Sequence, residues 1–126
     1  MLFDTDVIIW ALRGNVKAAA VIDKSHTRLI SAVTYMELVK GARDKGDLRA
    51  VKGFIRDLCF EVVPVSENIS HRAVIYMEEF ALKSGMDLAD ALIAATASEG
   101  SLKLCTGNVR HYRVVPDMEL SVFRPD

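Results

Sequence analysis

The sequence predicts an α/β fold built on a central, mostly parallel sheet of four to five strands. Short apolar runs alternate with longer stretches of helical periodicity, an order typical of parallel sheets covered by helices. Hydrophobic residues make up 51% of the chain and charged residues 26%, as in globular proteins. Because 126 residues suffice for one hydrophobic core, we expect a single domain over residues 1–126.

The predicted strands are short runs rich in Leu, Ile, Val and Phe, which suit buried positions in a sheet. They are residues 2–3 (LF), 28–33 (RLISAV), 60–65 (FEVVPV) and 102–105 (LKLC), and a run at 119–123 (ELSVF) would add a fifth. In such sheets ligands bind beyond the carboxyl ends of the strands. The residues that follow each run are therefore the first place to look for a site.

Helical periodicity fills the intervals between these runs. A first short helix ends at Gly14, and a second begins after Asn15, a favoured N-cap residue, and runs to about Lys24. In residues 87–100, apolar side chains cover almost every direction, so this helix is expected to be buried. Amphipathic helices are predicted over residues 34–44, 47–58 and 67–85.

Charge and hydropathy exclude several classes of protein. The formal net charge is −1, so contact with nucleic acid would require a local basic patch or bound metal ions. No apolar run approaches the roughly 18 residues of a membrane span, and the first residues lack the basic start of a signal peptide. Cys59 and Cys105 form no CxxC pair and are predicted to be buried free thiols. We therefore expect a soluble cytoplasmic protein.

Residues with oxygen-bearing side chains follow predicted strands or open predicted helices, and helix capping explains each one singly. Thr34 and Glu37 have the spacing of a capping box, in which each side chain bonds the other residue's backbone N–H. Asp6 is expected to cap the first helix, Asp87 the buried helix and Asn108 a short last helix.

Capping does not explain why acids recur at three such positions. Asp4 follows the first strand, Glu37 lies shortly after the second, and Asp90 lies within a helix that is otherwise apolar. Burying carboxylates close together costs free energy, because like charges repel and desolvation opposes ionisation. A divalent cation such as Mg²⁺ or Mn²⁺ offsets that cost, since hard cations prefer oxygen ligands. We therefore predict that these three acids bind a divalent cation.

No other kind of catalytic centre is indicated. The chain contains no P-loop, dinucleotide-binding glycine motif or nucleophile-elbow serine motif. Its three histidines, His26, His71 and His111, show no spacing typical of metal ligands. A carboxylate-bound cation needs none of these groups, because the ion itself activates water and stabilises a phosphoryl transition state.

Four segments, in their order and spacing, resemble the PIN domain, and most closely the VapC-type toxins of prokaryotic toxin–antitoxin pairs. The segments are LFDTDVIIWAL, SAVTYMELVKGA, DLADALIAATA and CTGN. The resemblance extends from Leu2 to about Tyr112. It implies a three-layer α/β/α PIN-like sandwich that acts as a metal-dependent endoribonuclease.

The resemblance also assigns roles to the predicted catalytic residues. The family's first three acids fall on Asp4, Glu37 and Asp90, which would bind Mg²⁺ or Mn²⁺. Its fourth position, often Asp, falls on Asn108. An amide can position water or a weakly held second ion, so this departure weakens the expectation of a second tightly held ion, and activity with one firmly bound ion remains compatible with the sequence.

Four further residues are expected to support these acids. The hydroxyls of Thr5 and Thr106 would orient the carboxylates by hydrogen bonding. Asp6 stands where many relatives have Asn, and it would add negative charge beside the cation in addition to capping its helix. Asp87 is an added acid near Asp90, and a role as helix cap is favoured for it over a role as metal ligand.

The resemblance implies an RNA substrate, a cognate antitoxin and a homodimer, which could join the antitoxin in a hetero-oligomer. An apolar groove between the early helices would receive the antitoxin, and residues 47–58 would contribute to it, although core packing explains their pattern equally well. The basic residues available to hold the RNA backbone are Arg13, Lys17, Lys40, Arg43, Arg110 and Arg113.

Two other functions compete with the nuclease. A PIN-like module without turnover would only bind RNA or protein; Asn108 favours this alternative, whereas the three acids oppose it. A phospho-receiver domain would need an acceptor aspartate at the end of the third strand. Asp57 precedes that strand instead of following it, so the sequence disfavours a receiver.

Overall fold

The computed structural model describes residues 1–126 and contains a five-stranded sheet in which all neighbouring strands are parallel. The strands are β1 (Leu2–Phe3), β2 (Leu29–Ser31), β3 (Glu61–Val63), β4 (Leu104–Thr106) and β5 (Leu120–Val122). Their order across the sheet is β3-β2-β1-β4-β5. The predicted fold class is therefore confirmed, including the fifth strand.

Helices form every connection between the strands. They are α1 (Thr5–Leu12), α2 (Val16–Lys24), α3 (Ala32–Lys40), α4 (Lys45–Asp57), α5 (Glu67–Ser84), α6 (Leu88–Glu99) and α7 (Val109–Tyr112). The chain runs from β1 through β2 to β3, then crosses back past β1 to β4. Because crossovers between parallel strands are right-handed, this reversal directs the helices before and after β3 to opposite faces of the sheet.

Alternating side chains of the strands build a separate core on each face. On one face, Leu2 and Leu104 pack with α5 and α6. On the other face, Phe3 and Cys105 pack with α1, α2 and α4. The result is the predicted three-layer α/β/α sandwich. Its switch point, where the strand order reverses, lies between β1 and β4.

The helix α6 is buried, as its apolar circumference predicts. Seven of its 12 residues are buried, and four of these are alanines, whose small side chains allow α5 to pack closely. The preceding helix α5 ends where Gly85 adopts a left-handed conformation (φ 72°), which costs glycine no steric strain. None of the helices is long and apolar enough to cross a bilayer.

The start of α3 differs from the prediction. The strand β2 ends at Ser31, and the helix begins at Ala32 because the Ser31 Oγ accepts a hydrogen bond from the Val33 backbone N–H at 3.0 Å. Thr34 therefore lies inside the helix, and the predicted capping box with Glu37 does not form. Glu37 consequently lies in the second helical turn instead of the first.

Three further predictions differ from the structure. Cys59 is exposed, because it follows the end of α4 in a left-handed conformation (φ 56°), whereas Cys105 is buried as predicted. The strand β3 lies at an edge of the sheet, so Glu61 and Val62 are exposed. The fourth helix begins at Lys45 instead of residue 47, because Asp44 caps it.

We predict that Ser31→Ala lowers the free energy of unfolding by about 1 kcal/mol, since the first turn of α3 loses its cap. Ser70→Ala, at an exposed position of α5, should change it by less than about 0.5 kcal/mol. Urea unfolding followed by circular dichroism measures both values. Equal stability of Ser31→Ala and the parent chain would contradict the assigned helix start.

Candidate active site

Asp4 lies at the carboxyl end of β1, beside the switch point, and is 5% exposed. Its Oδ1 accepts from the Thr5 backbone N–H at 2.8 Å, so Asp4, and not Asp6, is the N-cap of α1. Its Oδ2 accepts from the Thr106 Oγ1 at 2.6 Å, which links the ends of β1 and β4. The hydroxyl predicted to orient this carboxylate does contact it.

Burial makes the negative charge of Asp4 costly. Desolvation, together with the nearby charges of Asp6 and Asp90, raises the pKa of Asp4 to about 7, and desolvation is the largest of these causes. The hydrogen bonds from Thr106 and Thr5 favour the ionised form and partly oppose the shift. The three aspartates therefore form an electrostatically coupled cluster with too little compensating positive charge.

Asp6 occupies the first turn of α1 and faces the loop after β4. Its Oδ2 accepts from the Gly107 backbone N–H at 2.9 Å, and its Oδ1 is buried without a hydrogen-bond partner. Burial is the main cause that raises the pKa of Asp6. The predicted capping role is wrong, because Asp4 is the N-cap, and the charge of Asp6 lies close enough to Asp4 to raise its pKa.

Thr5 connects Glu37 to this cluster. The Thr5 Oγ1 donates to the Glu37 Oε1 at 2.6 Å and lies 3.0 Å from the Thr34 Oγ1. Glu37 itself is exposed. A side chain in the second turn of α3 therefore reaches the carboxyl end of β1, although the sequence placed it in the first turn.

Asp90 lies in the first turn of α6 and is 8% exposed. Asp87 caps this helix, because its Oδ1 accepts from the Asp90 N–H at 2.9 Å, and Asp90 Oδ2 lies 3.4 Å from the Asp87 N–H. The capping role predicted for Asp87 is confirmed. The shortest contact of Asp90 is with His111, whose Nδ1 lies 2.6 Å from its Oδ2.

His111 and Tyr112 are the site residues that the sequence reasoning missed. Asn108 occupies the N-cap position of α7, but its side chain makes no cap bond and instead lies 2.9 Å from the His111 Nδ1. The spacing of three residues between Asn108 and His111, which places both on one helix face, was the available signal. The Tyr112 Oη donates to Asp90 Oδ1 at 3.3 Å. Burial is the main cause that raises the pKa of Tyr112, and the negative charges of Asp4 and Asp90 add to it.

The donor set fits a hard divalent cation. All the clustered acids offer oxygen ligands, and the partnerless Asp6 Oδ1 marks a buried negative atom that no protein donor reaches. No three Asp, Glu, His or Cys side chains lie close enough together to hold one ion as they stand. A bound cation would therefore draw the acids closer together than they now lie.

An open groove of about 530 Å³ extends from Glu37 between α1, α3 and α4. Its apolar wall includes residues of all three helices, and Arg13, Arg43 and Asp47 supply charge. The predicted groove between the early helices is thus present, and α4 contributes to it. The apolar lining residues are Ile9, Leu12, Leu38, Ala42, Ala50 and Val51.

These features define a class of protein: an α/β/α domain with a carboxylate cluster at the switch point of a parallel sheet. The family model described as the PIN domain matches residues 1–115. Ribonuclease VapC10 of Mycobacterium tuberculosis is 36% identical over 116 residues, covering 89% of this chain and 85% of that relative. The chain belongs to the PIN domain family, and this relative is one of its VapC-type members.

Solved structures agree with this assignment. A toxin–antitoxin complex from Klebsiella pneumoniae contains a chain 28% identical to this one, with a TM-score of 0.76 and coverage of 99% and 97% of the two chains. DNA-bound VapBC from Salmonella typhimurium shares the fold with a TM-score of 0.84, at 23% identity and 96% coverage of each chain.

The raised pKa of Asp4 predicts how stability depends on pH in the absence of a cation. The folded state holds a proton on Asp4 up to about pH 7, whereas the unfolded chain releases it near 3.8, the ordinary pKa of an aspartate. The free energy of unfolding should therefore fall as pH rises from about 4 to above 7, by up to about 4 kcal/mol from Asp4 alone.

This dependence is measured by urea unfolding in EDTA at pH 5 and pH 8. Asp4→Asn should reduce the difference between the two pH values, because the amide carries no charge to bury. Asp23→Asn, at an exposed position of α2, should retain the full difference. A parent chain that is more stable at pH 8 than at pH 5 would contradict the pKa assignment.

The absence of a side chain at Gly107 allows the Asp6 carboxylate to pack against the loop after β4. A Cβ at this position would lie 2.8 Å from the Asp6 Oδ2 and 3.2 Å from the Phe123 carbonyl oxygen. Gly107→Ala should lower the free energy of unfolding by about 1–3 kcal/mol. In Gly53→Ala the new Cβ would lie 3.6 Å from the Arg56 guanidinium, so this helical control should gain about 0.5–1 kcal/mol.

Proposed function

We propose that the chain is an endoribonuclease toxin of the VapC type, which hydrolyses RNA phosphodiester bonds in the cytoplasm and is inhibited by a cognate antitoxin. The observation that carries the proposal is the acid cluster at the switch point, where Asp4 is coupled to Asp90 and linked through Thr5 to Glu37. The relative named Ribonuclease VapC10 and the toxin–antitoxin complex with the same fold support it.

Asp4, Glu37 and Asp90 would hold one Mg²⁺ or Mn²⁺. Such an ion, when bound, supplies the charge that activates water and stabilises a phosphoryl transition state. Oxygen ligands without sulfur or imidazole favour these hard ions over zinc. The buried, partnerless oxygen of Asp6 adds charge that would strengthen cation binding without itself requiring ligation.

The surrounding residues hold these acids in place. Thr106 fixes one oxygen of Asp4, and the Thr5 backbone N–H fixes the other, so the carboxylate enters the site in one orientation. The Thr5 hydroxyl orients Glu37 in the same way. Asn108 carries no charge, so a second ion would be held more weakly than the first.

RNA would approach along the groove that contains Glu37. Arg13 and Arg43 line this groove and would contact phosphate oxygens. Arg43 is 2.9 Å from the Asp47 Oδ2, whereas the Arg13 guanidinium lies 5.9 Å from the centre of the Trp10 ring. Arg13 has no acidic partner to displace, so we expect it to contribute more to RNA binding.

The antitoxin would occupy the apolar part of the same groove. An amphipathic helix placed between α1, α3 and α4 would cover the apolar wall and block the path to Glu37. Inhibition would then follow from exclusion of the substrate, with no change in the acids themselves.

A second copy of the chain would cover apolar side chains that α5 and the start of α6 leave in water. Val74, Ile75, Leu82 and Leu88 are all exposed. Large exposed apolar side chains on neighbouring positions are typical of an interface between proteins. We therefore propose a homodimer through this face, which is separate from the groove.

Cleavage of a labelled RNA tests the proposed activity. The pure chain should cleave with Mg²⁺ or Mn²⁺ and lose activity in EDTA. Asp4→Asn and Asp90→Asn should each lower the rate at least about 100-fold, because each removes a charged ligand from the site. Asp23→Asn, far from the acids on an exposed position, should cleave at the parent rate.

Thermal unfolding supplies a readout independent of RNA. Mn²⁺ should raise the unfolding midpoint of the parent chain and of Asp23→Asn, but not that of Asp4→Asn. Cleavage that persists in EDTA, or in both site variants, would contradict the metal mechanism. Tight RNA binding without cleavage at saturating Mn²⁺ would instead favour the PIN-like binding module.

A further inference from the structure

The side chain of His111 lies against the carboxylate of Asp90. The Nδ1 atom is 2.6 Å from the Asp90 Oδ2, a distance typical of a strong charge-assisted hydrogen bond. Both side chains are mostly shielded, with 27% of His111 and 11% of Asp90 exposed to solvent. His111 is thus placed to act on one oxygen of an acid that α6 delivers to the cluster.

The remaining contacts of Asp90 are longer. The Tyr112 hydroxyl is 3.3 Å from Oδ1, and the Asp87 N–H is 3.4 Å from Oδ2. Hydrogen bonds weaken as they lengthen beyond about 3.2 Å. His111 is therefore the group that fixes the rotation of the Asp90 carboxylate, while Oδ1 keeps the weaker partner.

Asn108 also contacts the imidazole ring. Its side-chain nitrogen Nδ2 lies 2.9 Å from the same Nδ1 atom, and the Asn108 backbone N–H donates to the Thr106 Oγ1. A ring nitrogen that donates to an ionised Asp90 can face the amide oxygen but not the amide N–H. The carboxylate of Asp90 places the imidazole proton on Nδ1, and the Asn108 amide must then turn by 180° to present its oxygen to the ring.

We propose that His111 is a positioning residue that anchors the Asp90 Oδ2 and leaves Oδ1 available to the divalent cation. The inference rests on the proposed function, because it assumes that Asp90 is a ligand. It gives the uncharged Asn108 a different role: the amide holds His111, which in turn holds Asp90.

The test compares Mn²⁺ binding by the parent chain and by His111 variants, using the electron paramagnetic resonance signal of free Mn²⁺. Loss of a hydrogen bond to a ligating carboxylate weakens metal binding about 10- to 100-fold. His111→Ala should therefore raise the dissociation constant for Mn²⁺ at least about tenfold.

His111→Asn separates the hydrogen bond from the bulk of the ring. The Asn side-chain N–H occupies nearly the position of Nδ1, so this variant should recover Mn²⁺ binding to within about threefold of the parent chain. His71→Ala is the matched control, because His71 is exposed on α5 and faces only Glu67. It should bind Mn²⁺ and cleave RNA as the parent chain does.

Unchanged Mn²⁺ affinity in His111→Ala would overturn the proposal. Equal weakening in the Ala and Asn variants would also overturn it, since packing of the ring would then explain the effect. The binding measurement contains no RNA, so it decides the role of His111 even when the parent chain fails to cleave RNA. Failure of cleavage would reject the proposed function separately.

Discussion

A hydrogen bond between the first and fourth strands organises this molecule. The Thr106 hydroxyl donates to the Asp4 Oδ2 at 2.6 Å and closes the switch point between β1 and β4. Asp4 must be buried to receive it, and burial is what raises its pKa to about 7. The same carboxylate also caps α1, so the start of the first helix depends on an acid whose charge the fold does not fully compensate.

The rest of the site follows from that one buried carboxylate. Asp4 accepts from the Thr5 backbone N–H, and the Thr5 hydroxyl donates to Glu37. The Thr106 hydroxyl oxygen accepts a hydrogen bond from the Asn108 backbone N–H. Asp90 enters from the opposite layer and is held by His111. A cluster of this kind costs stability in the absence of a cation, which is typical of sites built for binding and not for packing.

Much of the fold and the position of each acid could be predicted from the sequence, because both depend on local pattern. Short apolar runs separated by periodic stretches indicate a parallel sheet, and acids that follow such runs reach one edge of it. Element ends were less predictable: Ser31 caps α3 instead of Thr34, and Asp4 caps α1 instead of Asp6. Each of these residue types caps well, so local preference could not choose between them.

By itself, the sequence determined the fold class and singled out the acids Asp4, Glu37 and Asp90 as candidate ligands, because hydrophobic periodicity and residue chemistry act over a few neighbouring positions. Only the tertiary structure decided which groups meet. His111 contacts Asp90 across 21 residues, and Thr106 contacts Asp4 across 102 residues. Such pairs depend on the order of strands in the sheet, which brings distant segments to one edge and which no local pattern encodes.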